Sequence, residues 1–377
     1  MEHKFSAKES FLLASSTLPL SNLPPNPLNS RLQDTVKECW RLSMTEGAWN
    51  SYDVPVRHAL RIAKKAGITI KPPFTDESLS VFVSYMLTEQ KVTPATIENY
   101  LSALLKWSIA DGHPVPTLRT EYIKAILAGA VNKRDAMLNA GLITKVKRRA
   151  ITLALLEYFG SWVSRSTFSE LDKQLLWTLA TVAFFGAFRI GELLSKTATT
   201  FDDSVTLLLK NVTPGTVTTK DGKVVRKYSF LVKSPKVKRS SDGDVVSVYQ
   251  LTTPSGQPHP LCPVAALDRY VGLLENKGIL TWNEPMFKLD SGNAMTKVRF
   301  NKILKEAFLP FCTPESSFSC HSFRAGATSH MEDWGFTAEE IRGHGRWSSA
   351  CWELYSRFPI DRRLEIAVRL GQRVMAR

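Results

Sequence analysis

The sequence predicts a mainly α-helical protein with one small antiparallel β-sheet, divided between a helical N-terminal domain and a mixed α+β domain. Three observations point there. Apolar residues recur at three- and four-residue steps through most of the chain. Between Ser204 and Leu251 the period changes to alternation. A basic stretch without apolar period, residues 132–150, separates two helical regions.

Residues 1–30 are rich in Ser, Pro, Asn and Leu, with Pro24, Pro25 and Pro27 set against a helix, and read as a flexible leader. Helical patterns then cover Val36 to Met44, Trp49 to Ala66, Ser78 to Glu89, Thr96 to Ala110 and Thr120 to Val131. Thr75 with Ser78 suits a helix start, Pro94 a first-turn position, and Gly67 and Gly112 helix ends. Val81, Phe82, Tyr85 and Met86 share helical spacing and are expected in the core. Residues 31–131 are thus a small helical domain and 132–147 a basic linker.

The second domain, 148–377, opens with helical stretches at Leu153 to Ser164 and Leu171 to Phe185. Strands are expected at Thr206 to Leu209, Tyr228 to Lys233 and Val245 to Tyr249, with Asp221-Gly222 and Asp242-Gly243 as turns. After Pro263 the helical period returns, broken near Asn283 and Pro314, and a last amphipathic helix spans Asp361 to Met375.

Of the 377 residues 44% are hydrophobic, enough for two packed cores rather than a disordered chain. Lys and Arg exceed Asp and Glu by 49 to 35, a formal charge of +14 that favours a polyanionic partner. The cations cluster at Lys145, Lys147, Arg148 and Arg149, and again at Lys233, Lys236, Lys238 and Arg239, runs able to follow a phosphate backbone. Five cysteines without CxxC spacing suggest neither a disulfide framework nor a zinc cage, so no metal is expected. No apolar run reaches membrane-helix length, and a soluble intracellular protein is expected, nuclear in a eukaryotic host or cytoplasmic in a bacterial one.

Cys320-His321-Ser322-Phe323-Arg324 sets a histidine and an arginine one helical turn apart. Gly345-Arg346-Trp347 and Tyr355 follow, and Arg189 and Glu192 precede them in Phe185-Gly186-Ala187-Phe188-Arg189-Ile190-Gly191-Glu192. Singly each is weak: HxxR is commonly a solvated helix face, Arg189 with Glu192 fits a structural ion pair, and Tyr355 fits a half-buried surface aromatic. The ordered combination is the informative feature. It resembles the catalytic domain of tyrosine recombinases, the integrase family, over about residues 148–372, and the preceding helices resemble that family's core-binding domain. The Gly-Arg-Trp-Ser-Ser run is most similar to recombinases of DIRS and Crypton mobile elements.

The resemblance implies a C-shaped clamp on double-stranded DNA, assembled as a homodimer or tetramer, that cuts and rejoins strands through a 3′-phosphotyrosyl intermediate without nucleotide, metal or other cofactor. Attack on a phosphodiester crowds charge onto two non-bridging oxygens, which Arg189 and Arg324 suit as permanently charged bidentate donors. Tyr355 is the implied nucleophile, His321 its base, and Glu192 a partner holding Arg189. The leaving 5′-oxygen needs a proton, for which the resemblance implies a hairpin lysine: Lys236, with Lys233 and Lys238 as competitors. A His or Trp is expected about nine residues before the tyrosine, a count that lands on Arg346; Trp347 is favoured and His344 is the alternative. A type IB topoisomerase uses a similar residue set, and a domesticated protein that only binds DNA is a non-enzymatic alternative. The short helical N-terminal domain and the histidine of HxxR favour a recombinase.

Overall fold

The structure, a computed structural model, describes residues 27–43, 46–113, 115–144, 146–219, 222–233 and 243–347. They fall into two compact units divided after Thr144. No helix of the described residues is long and apolar enough to cross a membrane.

The first unit is helical: α1 (Pro27–Leu42), α2 (Glu46–Ala66), α3 (Asp76–Thr88), α4 (Pro94–Ala110) and α5 (Glu121–Asn139). Side chains fix its boundaries. Thr75 and Ser78 exchange backbone-to-hydroxyl hydrogen bonds of 3.1 Å at the start of α3. Thr93 caps α4 ahead of Pro94, and Gly67 and Gly112 take φ of 65° and 79° just past helix ends. Phe82 and Met86 are fully buried with Ile62, Ile97 and Leu104, while Val81 and Tyr85 pack on their margin.

Two expectations fail here. α1 begins at Pro27, inside the segment read as a leader, because proline at the first helical position lacks only an N–H that the helix does not use. α5 runs on to Asn139, so residues 132–139 are helix and not linker. Lys133, Arg134 and Asp135 interrupt the apolar period only because this end of the helix is largely exposed, and Lys and Arg are good helix formers.

The second unit is built around α7 (Glu170–Phe185), whose Leu175, Leu176, Leu179, Ala180 and Ala183 are buried on all sides. Against it pack α6 (Leu153–Arg165), α9 (Pro263–Asn276) and α11 (Ser322–Asp333). Between α7 and α9 lie the short α8 (Ile190–Leu193) and an antiparallel sheet in the order β2 (Val212–Thr218), β3 (Val224–Val232), β4 (Asp244–Tyr249). The central strand buries Tyr228, Phe230 and Val232 at alternate positions. Gly222 and Gly243, with φ of 80° and 106°, stand at the two expected turns.

The first strand is displaced from its expected place. Thr206 to Leu209 is a buried loop entering a 3-10 turn at Leu209–Asn211, and β2 follows it. The apolar run at 207–209 is core packing, whereas the strand itself is an exposed edge that tolerates Pro214. The unit is closed by α10 (Lys297–Ala307), α12 (Ala338–Gly345) and a parallel pairing of β1 (Lys147–Arg148) with β5 (Ser316–Ser317). The last residue of the expected linker, Lys147, therefore lies in a strand of this unit. The tail helix expected at Asp361 to Met375 lies outside the described residues.

α11 is seated by close backbone contact. Ile151 N–H donates to the Ser322 carbonyl at 3.0 Å, and a Cβ on Gly326 would lie 1.9 Å from the Ile151 carbonyl oxygen. Gly326→Ala is expected to destabilise the protein by about 1–3 kcal/mol or more through overpacking. Gly272→Ala, in α9 with nothing within 4 Å of the new methyl, is expected to stabilise it by about 0.5–1 kcal/mol. Denaturant titration of both variants checks the pair, and equal effects would refute the seating of α11.

Candidate active site

The site begins where α7 stops. Gly186 ends the helix, and a Cβ there would fall 2.2 Å from the Phe188 ring, so glycine lets the chain fold back on itself. Ala187 takes φ of 45°, and Phe188 turns inward onto Phe230 of β3 with ring centroids 5.2 Å apart. This turn presents Arg189 at the N-terminus of α8 with part of its side chain exposed. Glu192, one turn on, accepts from the Arg189 backbone N–H and from its guanidinium, both at 3.0 Å.

His321 and Arg324 enter from α11. His321 occupies the N-cap position and is half-buried, while Arg324, in the first turn, is fully buried. The guanidinium of Arg324 donates from Nη1 to the Ala187 carbonyl and from Nη2 to the Gly345 carbonyl. It therefore ties the turn after α7 to the end of α12.

α12 starts with a reciprocal cap between Thr337 and Glu340 and ends at Gly345, after which Arg346 adopts a left-handed conformation with φ of 57°. That reversal lays Trp347 back over the helix end. A Cβ on Gly345 would sit 1.4 Å from the indole, so no other residue fits. The Trp347 ring covers the Arg324 guanidinium at 4.0 Å, a contact expected to be strong because both partners are buried. Arg346 donates to Glu192 at 2.7 Å and lies over Phe188. Glu192 thus bridges two arginines from segments more than a hundred residues apart.

The electrostatics follow from that burial. Burial alone raises the Glu192 pKa, but the charge and hydrogen bond of Arg346, with the N–H and charge of Arg189, outweigh it and hold the carboxylate below its usual range. His321 is pushed below the usual imidazole value, first by burial and then by the charges of Lys297, Arg148, Arg324 and Arg189. His344 is lowered chiefly by the protein crowded around it and further by Arg346 and Arg324, against a raising contribution from the Phe185 carbonyl. Its Nε2 lies 3.0 Å from that carbonyl, which only accepts, so Nε2 carries the proton.

The structure gathers Arg189, Glu192, His321, Arg324, His344 and Trp347 into one site from three segments. Trp347 is a buried platform for Arg324, and His344 stands at the rim with much of its surface exposed. Lys147 and Arg148 are exposed on β1. Arg149 is engaged by the protein instead: its guanidinium donates to the Phe311 carbonyl at 2.8 Å and lies over the Phe318 ring. Lys233 follows β3 and donates to the Asp203 carbonyl at 2.7 Å. Lys145, Lys236, Lys238, Arg239 and Tyr355 lie outside the described residues.

Two cations of the site escaped the sequence reading. Arg346 stands at the expected spacing but is neither His nor Trp, and Lys297 stands alone at the start of a helix with no motif to mark it. Among the described residues no group of three or more His, Cys, Asp and Glu is arranged to hold a metal. A cavity of about 530 Å³ beside Trp177 and Lys173 includes none of the site residues.

Comparison with known proteins places this fold. It is the fold of site-specific recombinases and integrases of solved structure. XerH site-specific recombinase bound to palindromic difH substrate, in a post-cleavage complex, matches with a TM-score of 0.58 at 13% identity, over 96% of this chain and 93% of that one. A lambda integrase dimer bound to a COC′ core site matches at 0.53 and 14%, over 85% and 94%. The Tn1549 transposon integrase in complex with transposon right end DNA matches at 0.51 and 14%, over 97% and 100%. Neither a family model nor a curated protein matches the sequence, so the relation is one of fold.

Glu192→Gln is expected to cost about 3 kcal/mol, because it leaves buried Arg346 without a counter-charge. Since the folded-state pKa of Glu192 is depressed, its stabilisation is present above the ordinary carboxylate pKa and lost as pH falls through the depressed value. The variant should therefore show a shallower acid loss of stability than the wild type. Combining it with Arg346→Met should recover part of the loss, and a strictly additive double variant would contradict the bridge.

Proposed function

We propose that the protein is a site-specific DNA recombinase that cleaves and rejoins strands through a covalent tyrosine intermediate. The observation that carries this reading is the convergence of Arg189, His321 and Arg324, in a fold shared with DNA-bound recombinases, into a site where a half-buried histidine is surrounded by cations.

In this reading a phosphodiester of duplex DNA lies against Arg189 and the neighbouring basic surface, with Arg324 and Trp347 beneath. The Tyr355 hydroxyl attacks phosphorus as His321 takes its proton; the bond to the 5′-oxygen breaks, and that oxygen is protonated by Lys236. The strand is left as a 3′-phosphotyrosine and a free 5′-hydroxyl, and rejoining is the reverse attack by a 5′-hydroxyl. Because bond energy is kept in the phosphotyrosine, the cycle needs no ATP, and fixed guanidinium charges supply the stabilisation that a metal gives elsewhere. Tyr355 and Lys236 are assigned by sequence order. The depressed pKa of His321 supports the assignment of the base, since it keeps the imidazole neutral at pH 7. Two or four protomers on paired sites complete the reaction.

Tyr355→Phe is expected to abolish the covalent adduct while keeping DNA affinity, and peptide sequencing of the wild-type adduct should recover Trp352-Glu353-Leu354-Tyr355-Ser356. A link to another residue would overturn the assignment. Arg189→Ala should slow single-turnover cleavage by about 100-fold or more, and Lys236→Ala should be partly rescued by a 5′-thiol leaving group.

The pH dependence separates free and bound states. With His321 as base, cleavage at subsaturating DNA rises with pH through the lowered pKa of the free site. At saturating DNA the limb should lie at higher pH, because the bound phosphodiester offsets the four cations. Coincident limbs would remove His321 from the role.

A further inference from the structure

We propose that Arg148 and Lys297 form a second phosphate-binding pair beside His321, engaging a phosphate next to the one that is cut. The inference deepens the recombinase reading and rests on it for the identity of the scissile phosphate.

The two residues come from different elements, and each is fixed at the backbone. Arg148 stands on β1 opposite Ser317 of β5, and the flanking bonds, Lys147 N–H to the Glu315 carbonyl at 2.6 Å and Arg149 N–H to the Ser317 carbonyl at 2.8 Å, hold the pairing. β5 leads within a few residues to His321. Lys297 is the first residue of α10, capped by Thr296, whose hydroxyl accepts from the Arg299 N–H at 3.3 Å. α10 is in turn bonded to the segment before His321: Cys320 N–H donates to Asn301 Oδ1 at 3.1 Å, and the Cys320 thiol donates to the Lys297 carbonyl. Burial pushes that thiol up to about 11 despite Lys297, so it stays protonated and neutral.

Both cations are exposed, and among the described residues neither forms an ion pair. The other basic groups nearby are already engaged: Arg324 by two carbonyls, Arg346 by Glu192, Arg149 by the Phe311 carbonyl and Phe318. Arg148 and Lys297 are also the two charges acting most strongly on His321, ahead of Arg324 and Arg189. Both stand on elements bonded to the segment that leads into His321, and neither belongs to the turn that carries Arg189. In the proposed reaction, a phosphate next to the one held at Arg189 and His321 is the anion this pair would take.

The chemistry needed there is plain anion binding. Two exposed side-chain cations suit a phosphodiester that is held but not reacted, since contacts to unreacting parts of a substrate fix its register.

The test replaces phosphates one at a time with neutral methylphosphonates across a duplex that the full-length protein binds. For the wild type, neutralising one phosphate adjacent to the cleavage point should weaken binding about tenfold, the usual scale of a charged contact. Arg148→Gln with Lys297→Gln should weaken binding to unmodified DNA to a similar extent and show no further loss at that phosphate. The slope of log affinity against log salt should fall by about 1–2. Independent, multiplying losses, or a double variant with unchanged affinity and salt slope, would overturn the pair. Absence of any adduct in the wild type would instead sink the recombinase reading, and the salt slope would still decide whether the pair binds phosphate.

Discussion

A guanidinium taken wholly out of water is the constraint on which the second unit depends. Arg324 is fully buried, and its charge is tolerated because backbone carbonyls of Ala187 and Gly345 accept its N–H groups and the Trp347 ring covers its face. Those carbonyls belong to segments far apart in sequence, so Arg324 is a cross-link between the turn after α7 and the end of α12. Moving either segment leaves a buried charge unsatisfied, at a cost of several kcal/mol. Arg324 thus positions the two backbone segments that carry Arg189 and His344.

Glu192 carries the second half of the same arrangement. Arg346 is as buried as Glu192, and together with Arg324 it makes the interior of the site strongly positive. The carboxylate bridges Arg346 and Arg189 and so leaves one interior cation balanced while Arg189 faces the surface with its orientation fixed. A guanidinium held in this way loses little further freedom when it meets an anion. Close backbone approach supports the scheme at Gly186, Gly326 and Gly345, where an added methyl would strike Phe188, the Ile151 carbonyl or Trp347.

Much of this was legible in the sequence where local chemistry dictates structure. The capping pair Thr75 and Ser78, Pro94 at a helix start, the two turn glycines of the sheet and the apolar length of α7 all act through near neighbours, and each left a readable pattern. The site residues Arg189, Glu192, His321 and Arg324 were legible as an ordered set of types. The rest was hidden because composition reports exposure and not structure. Lys133 and Arg134 have the composition of a linker but belong to the outer turns of a helix, and Leu207 to Leu209 have the composition of a strand but are buried loop. Arg149 looked like its neighbours in a basic run, yet its partner, the Phe311 carbonyl, lies 162 residues away. No local pattern encodes such a partner.

The same distinction decides what the positive charge is for. A formal charge of +14 says only that a polyanion is favoured, and a run of cations in sequence does not say which of them face it. Burial and partners do. Arg324 donates to two carbonyls, Arg346 to Glu192 and Arg149 to the Phe311 carbonyl, so these cations hold the protein together, and Arg324 and Arg346 also lower the pKa of His344. Lys147, Arg148 and Lys297 keep their charge at the surface, and Arg189 stands between the two groups, fixed on one side by Glu192 and open on the other. Such a gradation, from structural cation to edge to open surface, has a chemical consequence for His321. Burial and the surrounding cations lower its pKa in the free protein, and in the proposed reaction the negative charge of a bound phosphodiester would offset those cations. On the proposed reading, the anion that the surface cations attract would also tune the base beside it.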